Sequence, residues 1–118
     1  MSLNSMIIEM KKNPDYFRMG MIASHLGVVR GFSLNGGTVT EIEVLFDEKS
    51  VDNIINEIKA MEGIVDVKIE TYGGRLKVGD EVMAVVVGGD TREHVFPALE
   101  DAVNRIKKEA SKKKEFFK

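Results

Sequence analysis

The chain has 118 residues and a mass of 13.2 kDa, which is enough for one domain. Hydrophobic residues make up 43% and charged residues 31%, so the composition is that of a folded globular protein and excludes extended disorder. There is no cysteine, which excludes disulfides, thiolate metal sites and cysteine nucleophiles. No apolar run approaches the ~20 residues of a transmembrane helix and no secretory signal is recognisable, so we expect a cytoplasmic protein without a membrane partner.

Charge is distributed unevenly along the chain. The net charge of −2 and the pI of 5.7 argue against a general nucleic-acid-binding protein. Residues 105–118 nevertheless carry seven basic and two acidic residues, a net charge of +5. This basic end has two interpretations. It is either a solvated helix end, with lysines near the negative pole of the helix dipole, or an anion site for a phosphate or a partner's carboxylate terminus.

Turn signals divide the first half of the chain. Residues 1–18 are expected to form an N-terminal segment that ends in the turn Asn13-Pro14-Asp15, and its first three residues are expected to lie outside the fold. The apolar stretch Met19–Arg30 predicts a strand. Asn35-Gly36-Gly37 predicts a hairpin turn, so Val39–Phe46 is expected to be the return strand of that hairpin.

A helix and further strands follow. Ser50 and Gly63 can cap the helix, whose apolar residues recur at helical spacing: Val51, Ile54, Ile55, Ile58 and Met61. The stretch after it alternates apolar and polar residues, which predicts a half-buried strand over Val65–Glu70. Glycine turns flank Arg75–Val78, where a short strand near Leu76 fits. The continuous apolar run in Glu81–Val87 predicts a strand buried on both faces.

The last predicted element is a long helix, with an apolar stripe formed by Phe96, Leu99, Val103 and Ile106. Two starts fit. Asp90-Thr91-Arg92-Glu93 matches a capping box but places Pro97 beyond the first turn, where its missing N–H costs a helix bond. A start near Glu93 is easier, because Pro97 then falls in the first turn and Thr91 and Arg92 lie in the preceding loop. If this helix continues to the end of the basic region, Lys107 and Lys114 lie on similar faces. The order β-β-α-β-β-α therefore predicts one α+β domain, with a mainly antiparallel sheet and two helices packed on it.

Few residues offer catalytic chemistry. The two histidines, His25 and His94, are too few for a typical zinc site, and no G-x-S-x-G, Walker A or G-x-G-x-x-G motif is present. We therefore predict no metal site and no bound cofactor. Cations at the ends of predicted elements remain: Arg30, Arg92, Lys107 and Lys114. Two interpretations stay open, since these four either converge on a phosphate-bearing substrate or are unrelated surface charges. The amides at the start of the last helix, together with Arg92, predict an anion site there.

Several stretches occur in an order that matches one family. The first is Gly27-Val28-Val29-Arg30, which matches a G-x-V-R strand end, and the second is Gly74–Asp80, which matches a G-x-L-x-x-G-[DE] turn before the apolar strand Glu81–Val87. Thr91-Arg92 then stands where the family has an H-R pair, and Phe96-Pro97-Ala98 matches an F-x-A helix start. The last are the helix lysine Lys107 and Lys113-Lys114-Glu115-Phe116, which corresponds to a W-K-x-E segment. From Met19 to Phe116 the chain thus resembles the large, catalytic subunit of molybdopterin synthase.

This resemblance implies an α/β-hammerhead fold and a homodimer of large subunits, each holding one small ubiquitin-like subunit. The small subunit carries a C-terminal Gly-Gly thiocarboxylate, which delivers sulfur to cyclic pyranopterin monophosphate and generates the dithiolene of molybdopterin. Because the sulfur comes from the partner, a large subunit without cysteine or cofactor is compatible with this reaction.

The resemblance also implies site residues. Lys107 is the leading catalytic candidate, with Lys114 beside it, and Arg30 and Arg92 match substrate-binding arginines. The pocket-lining positions are Val28, Val29, Thr91, Glu115 and Phe116. The chain departs from the family pattern at Thr91, where a histidine is usual, at His25, where a phenylalanine is usual, and at Ser111-Lys112-Lys113, which replaces Pro-Phe-Trp. It also ends earlier than the family pattern after Lys114.

Two non-enzymatic alternatives remain open. The helix, turn and strand of Ser50–Glu70 also resemble small-molecule-sensing domains of the ACT type, and a dimerisation module without a small ligand is a third hypothesis. If the four cations share one pocket, the enzyme hypothesis is favoured, and if they scatter over the surface, it is disfavoured. A homodimer is expected independently, on the hypothesis that Met83–Val87 and neighbouring strand edges expose apolar surface in a monomer.

Overall fold

The fold is described from a computed structural model that covers residues 1–118. Its elements in chain order are α1 (Leu3–Lys11), a 3-10 turn (Tyr16–Arg18), β1 (Met21–Val28), β2 (Val39–Phe46), α2 (Glu48–Lys59), β3 (Ile64–Thr71), β4 (Gly74–Lys77), β5 (Glu81–Gly89), α3 (Arg92–Arg105), a π-helical turn (Ile106–Ala110) and β6 (Ser111–Phe117). The strands form two antiparallel three-stranded sheets, ordered β1-β5-β3 and β4-β2-β6. The predicted α+β class is confirmed. None of the helices is both long and apolar enough to cross a bilayer.

Strand β5 is the centre of the first sheet and is covered on both faces. Met83, Val85 and Val87 pack in the main core with α2 and α3, whereas Ala84 and Val86 pack against α1 on the opposite face. This double covering explains the continuous apolar run, since alternate side chains of a strand point to opposite faces. The expectation that Met83–Val87 exposes apolar surface in a single chain is therefore wrong.

Helix α1 was not predicted, and the first three residues belong to the fold. Ser2 caps α1, because its Oγ accepts a hydrogen bond from the Ser5 amide at 3.1 Å. Met6 and Met10 lie one turn apart and are fully buried against the first sheet. Leu3 and Ile7 pack beside them, whereas Ile8 is exposed, and the sheet face that covers this short helix lies far along the chain.

The predicted hairpin is only partly correct. The turn exists, with a bridge between Phe32 and Thr38. However, β1 and β2 join different sheets instead of pairing with each other. Backbone bonds of the buried Val29 with Asp80 and Gly79, at 2.9 and 3.0 Å, hold the crossing point where the chain leaves the first sheet for the second. The turn residues therefore predict correctly that the chain reverses direction, but β1 and β2 pair with distant strands instead of with each other.

The last helix does not continue to Lys114, which corrects the sequence expectation. It ends at Arg105, passes through the π-helical turn, and is followed by β6, which pairs with β2 from Phe46↔Ser111 to Val39↔Phe117. The lysine-rich sequence of β6 has no strong strand preference of its own. The exposed edge of β2 supplies the backbone partners, so tertiary pairing overrides local propensity.

The predicted helix limits need smaller corrections. Asp47, not Ser50, is the N-cap of α2, and the Ser50 hydroxyl donates a hydrogen bond to the Asp47 carboxylate. Gly63 has a positive φ of 78° in the turn after α2, as its predicted role as a stop requires. Helix α3 begins at Arg92 with Thr91 as N-cap, so Pro97 lies beyond the first turn and is exposed. Its missing N–H leaves one helix carbonyl to water.

The two sheets give the molecule an elongated shape, with extents of 49 × 24 × 24 Å. The larger core lies between the first sheet and α2 and α3. A smaller core lies on the inner face of the second sheet: Val29, Val39, Ile42 and Val44, with Phe46, Leu76 and Val82 beside them. The space between the two cores is incompletely filled, and the candidate site lies there.

Candidate functional site

A cavity of about 530 Å³ lies where β1 passes from the first sheet to the second. Five parts of the fold surround it: β1 and the residues after it, β2, the start of β5, the π-helical turn, and β6. Its floor is apolar and includes Ile42, Val44 and Met83. Because its polar groups come from elements distant in the sequence, only the tertiary fold assembles this site.

Three cations and one carboxylate line the cavity. Arg30 comes from the end of β1, Lys107 from the π-helical turn, and Lys113 and Glu115 from β6. The positive charges outnumber the negative one beside an apolar wall, so the site favours an anion that also presents a flat or apolar surface. Arg30 also stands over the ring of Phe32, with its guanidinium carbon 5.5 Å from the ring centroid.

Glu115 is held in place by the glycine-rich turn. The hydroxyl of the buried Ser33 donates a hydrogen bond to Glu115 Oε1 at 2.9 Å, and the Asn35 amide donates to Ser33 Oγ at 3.3 Å. The turn therefore fixes the orientation of the only carboxylate in the cavity wall. The sequence did not point to Ser33, because nothing in the turn indicates that its hydroxyl contacts a residue as distant as Glu115.

His25 also lines the cavity, whereas the sequence pointed to it as one of two histidines, too few for a typical zinc site. Its Nε2 atom is buried and has no hydrogen-bond partner. Burial lowers the pKa of His25 below its usual value of 6.5, and the nearby charge of Lys107 lowers it further. The imidazole is therefore neutral at pH 7. The one sequence signal for this role was its departure from the phenylalanine of the family pattern.

The structure brings together five of the nine residues that the sequence suggested for the site. They are Val28, Val29, Arg30, Lys107 and Glu115, all of which line the cavity. Four others lie outside its lining in the single chain: Thr91, Arg92, Lys114 and Phe116. The four cations therefore do not share one pocket within one chain, although two of them do.

Lys114 lies on the outer face of the second sheet because β6 is a strand. Alternation points Lys113 and Glu115 into the cavity and Lys114 and Phe116 away from it. On that outer face the Phe116 ring has the Lys114 ammonium 5.2 Å and the Arg75 guanidinium carbon 3.6 Å from its centroid. Lys113 is thus the cavity lysine of β6 that the helical reading missed.

Thr91 and Arg92 lie at the N-terminus of α3, far from Lys107. Because α3 has 14 residues, about 20 Å of helix separates its two ends. The Arg92 side chain is 77% exposed, and its Nε lies 3.6 Å from Glu93 Oε1. A substrate that touches both Lys107 and Arg92 therefore cannot be bound by one chain alone.

The same helix end contains a histidine–carboxylate pair. The His94 ring donates from Nδ1 to Asp90 Oδ1 at 2.8 Å, and the Thr91 amide donates to the same oxygen at 2.6 Å. The hydrogen bond with Asp90 raises the pKa of His94, and the pKa of Asp90 is lowered in return. Asp90 therefore has a structural role, because its carboxylate holds both His94 and the backbone at the start of α3. No cluster of three histidine, aspartate or glutamate side chains suited to a metal ion is present.

Comparison with known proteins gives consistent results. A family model described as MoaE protein matches residues 1–109. The molybdopterin synthase catalytic subunit of Ralstonia nicotianae is 28% identical over 97 residues, which cover 79% of this chain and 54% of that protein. The chain therefore spans about half the length of this curated relative.

Solved structures show the same fold. A molybdopterin biosynthesis MoaE protein from Burkholderia ambifaria MC40-6 is 28% identical, with a TM-score of 0.78, and the match covers 98% of this chain and 76% of that one. A protein–protein complex of subunits 1 and 2 of molybdopterin-converting factor from Helicobacter pylori 26695 contains a chain that is 15% identical, with a TM-score of 0.72. That match covers 99% of this chain and 80% of the other, and at this identity it shows similarity of fold.

Proposed function

This chain belongs to the MoaE protein family, and from that premise we propose that it is the catalytic subunit of a molybdopterin synthase. The proposed reaction transfers sulfur from the C-terminal thiocarboxylate of a small partner protein to cyclic pyranopterin monophosphate and forms the dithiolene of molybdopterin. The observation that carries the proposal is the cavity where Arg30, Lys107 and Lys113 converge beside an apolar wall. It suits a substrate with a phosphate and a flat ring system.

In this proposal the cavity residues have separate roles. Arg30 and Lys113 hold the substrate phosphate, since charge-assisted hydrogen bonds are the strong ones in proteins. Lys107 is the catalytic group, and its ammonium either moves a proton or polarises the carbonyl of the partner's acyl group. Val28 and Val29 contribute shape and backbone groups, and Glu115 is oriented by Ser33. The family resemblance assigns Lys114 and Phe116 to the same site, and we retain them as candidates to be tested against Lys113.

The proposed partner is a small ubiquitin-like protein that ends in Gly-Gly. Support comes from the Helicobacter pylori structure, which is a complex of two subunits of molybdopterin-converting factor. The mouth of the cavity carries exposed apolar side chains, with Val28 at 48% and Leu34 at 77% exposure. A slender glycine tail fits such an opening, because it brings an acyl group to Lys107 without bulky side chains. We place this reaction in the cytoplasm.

We further propose that the chain works as a homodimer. The resemblance assigns both Lys107 and Arg92 to substrate, yet the length of α3 separates them within one chain. A second copy that brings its own Thr91 and Arg92 to the cavity satisfies both assignments. This argument replaces the one from Met83–Val87, which the fold overturned. Exposed apolar residues such as Phe32 and Val78 are available for an interface.

The deciding experiment measures sulfur transfer directly. The purified chain is mixed with a thiocarboxylated small subunit and cyclic pyranopterin monophosphate, and mass spectrometry follows the gain of two sulfur atoms by the pterin. A small subunit with an ordinary C-terminal carboxylate is the control. Product formation that requires both this chain and the thiocarboxylate supports the proposal. A chain that binds the small subunit but forms no product would show that this family member is not a functional synthase subunit.

A further inference from the structure

We propose that His25 is a ligand-binding residue of the cavity, whose imidazole donates a hydrogen bond from Nε2 to an oxyanion of the ligand beside Lys107. The identity of that ligand rests on the proposed function, either as the pterin phosphate or as the partner's terminal carboxyl group. The chemical class, an oxyanion, rests on the cavity alone.

The first argument is the unpaired ring nitrogen. His25 and Gly27 point to the same side of β1, and a methyl group on Gly27 would lie 3.6 Å from His25 Nε2. The ring therefore lies close to the backbone of the strand, with Nε2 buried and without any partner in the chain. A buried polar atom without a hydrogen bond is destabilising, so such atoms are rare in native proteins unless a ligand completes them.

The second argument is the charge around the ring. Lys107 faces it from the π-helical turn, Lys113 and Glu115 from β6, and Arg30 from the end of its own strand. A smaller cavity is also lined by His25, together with Glu100 of α3. Cations outnumber carboxylates in the main cavity, so the group that completes Nε2 there is an anion. Since carboxylate and phosphate oxygens are acceptors, the ring must donate to them.

The third argument concerns the protonation state. Burial and Lys107 lower the pKa of His25, so the ring is neutral at pH 7 and can carry its single proton on Nε2. An oxyanion placed against Nε2 favours the protonated ring, so binding should raise the pKa of His25. The same anion should bind more tightly as the pH falls toward the pKa of the bound state.

Nuclear magnetic resonance of the ring nitrogens tests this in the intact protein. The chain has only two histidines, and His94 is an internal control because it lies outside the cavity and pairs with Asp90. Two probes are titrated separately: inorganic phosphate, and a synthetic peptide that ends in Gly-Gly with a free carboxylate. We expect saturable shifts and an increased pKa at His25 that exceed any change at His94, which lies in the first turn of α3 beside Arg92.

The two probes distinguish the source of the oxyanion. A response to phosphate alone assigns His25 to the substrate phosphate, and a response to the peptide alone assigns it to the tail of the partner. If neither probe shifts the His25 nitrogens, or if both histidines shift equally, the proposal is overturned.

Substitutions give an independent test. His25→Phe preserves an aromatic ring but removes the donor, and we expect it to weaken binding of the active probe by about threefold to tenfold. His25→Gln should recover part of that affinity, which a packing role for the ring does not predict. Gly27→Ala keeps His25 but shields Nε2 with a methyl group at ordinary contact distance, so it should also weaken binding. Lys108→Ala, outside the cavity lining, is the control, and thermal melts confirm that each variant is folded.

Failure of this proposal can be separated from failure of the proposed function. If phosphate or peptide raises the pKa of His25 but no sulfur is transferred, the ligand site stands and the synthase activity does not. If sulfur is transferred and His25→Phe retains the wild-type KM and probe affinity, the synthase activity stands and the role of His25 does not.

Discussion

Lys107 and Lys108 are neighbours in the π-helical turn but differ in their surroundings. Lys107 lines the cavity, whereas Lys108 does not. We predict that Lys107→Ala lowers the rate of sulfur transfer by about 10²–10⁴, the usual range for a general acid or base. Lys107→Arg should also fail, because arginine retains its proton near neutral pH. The same two substitutions at Lys108 should leave the rate unchanged, as measured with saturating small subunit.

The pair of substitutions separates two roles for Lys107. An Ala variant that fails while the Arg variant works would make Lys107 a charge that holds phosphate, without a role in proton transfer. Equal losses at Lys107 and Lys108 would instead indicate a general effect on the basic end of the chain. Neither change removes core volume, so thermal stability should stay close to that of the wild type.

His94 and Asp90 make the stability of the chain depend on pH. The raised pKa of His94 stabilises the fold below its ordinary value of 6.5, and this contribution is lost as the pH rises through the higher folded-state value. The lowered pKa of Asp90 stabilises the fold above its ordinary value of 3.8, and this contribution is lost as the pH falls through the lower folded-state value. Both contributions are present together between those ordinary values.

The prediction is a difference in Tm between the wild type and His94→Gln that is largest between pH 3.8 and 6.5 and shrinks as the pH rises through the raised pKa of His94. Thermal melts across this range measure it. The His25→Phe variant serves as the comparison with the opposite sign, because the lowered pKa of His25 should make the wild type lose stability relative to this variant as the pH falls below 6.5. A difference that grows as the pH rises would contradict the ion pair with Asp90.

At the scale of the elements, β6 decides which lysine reaches the cavity. Lys113 lines it, whereas Lys114 lies over Phe116 on the outer face opposite Glu43 of β2. We predict that Lys113→Ala weakens binding of inorganic phosphate more than Lys114→Ala does, by about tenfold, the size of one charge-assisted hydrogen bond. Calorimetric titration of both variants measures the ratio. The reverse order would favour the family assignment of Lys114 and a rearranged β6.

Helix α1 is the element that covers the far side of β5. Met10 is fully buried against Ala84 and Val86, so Met10→Ala should destabilise the fold by about 2–5 kcal/mol through the cavity it leaves. Ile8 lies on the same helix but is 55% exposed, and Ile8→Ala should change stability by no more than about 0.5 kcal/mol. Urea unfolding of the two variants tests this. Equal effects would mean that α1 does not pack on the sheet in solution.

At the scale of the whole molecule, the separation of Arg92 from Lys107 predicts shared sites in a dimer. Arg92→Ala and Lys107→Ala should each be inactive alone. After unfolding and refolding together, they should recover about a quarter of wild-type activity, because half of the dimers are mixed and each has one intact site of two. The rate of sulfur transfer against the mixing ratio measures this recovery.

A matched control uses two residues of the same cavity. Arg30 and Lys107 line one pocket of one chain, so mixing Arg30→Ala with Lys107→Ala leaves a defect in every site and should restore nothing. Light scattering should also show a dimer at micromolar concentration. A monomer, or equal recovery in both mixtures, would refute the shared site.

The sequence alone predicts those elements whose buried residues form a recognisable hydrophobic pattern within the segment itself. Helix α2 could be recognised because its apolar residues recur at helical spacing, and β5 because its apolar run is continuous, as in a strand buried on both faces. The family resemblance, not local periodicity, pointed to Val28, Val29, Arg30 and Lys107 as site candidates, and all four line the cavity.

Other features depend on contacts between segments that are distant in the sequence. Helix α1 is stabilised by a sheet face formed some 70 residues later, and β6 is a strand because β2 offers it an unpaired edge. Because side chains alternate along β6, Lys113 lines the cavity in place of the expected Lys114, and Glu115 lies within hydrogen-bond distance of Ser33. Backbone pairing and burial against distant segments carry no local period. A sequence of weak intrinsic preference, such as Ser111–Phe117, therefore takes its structure from its neighbours in space.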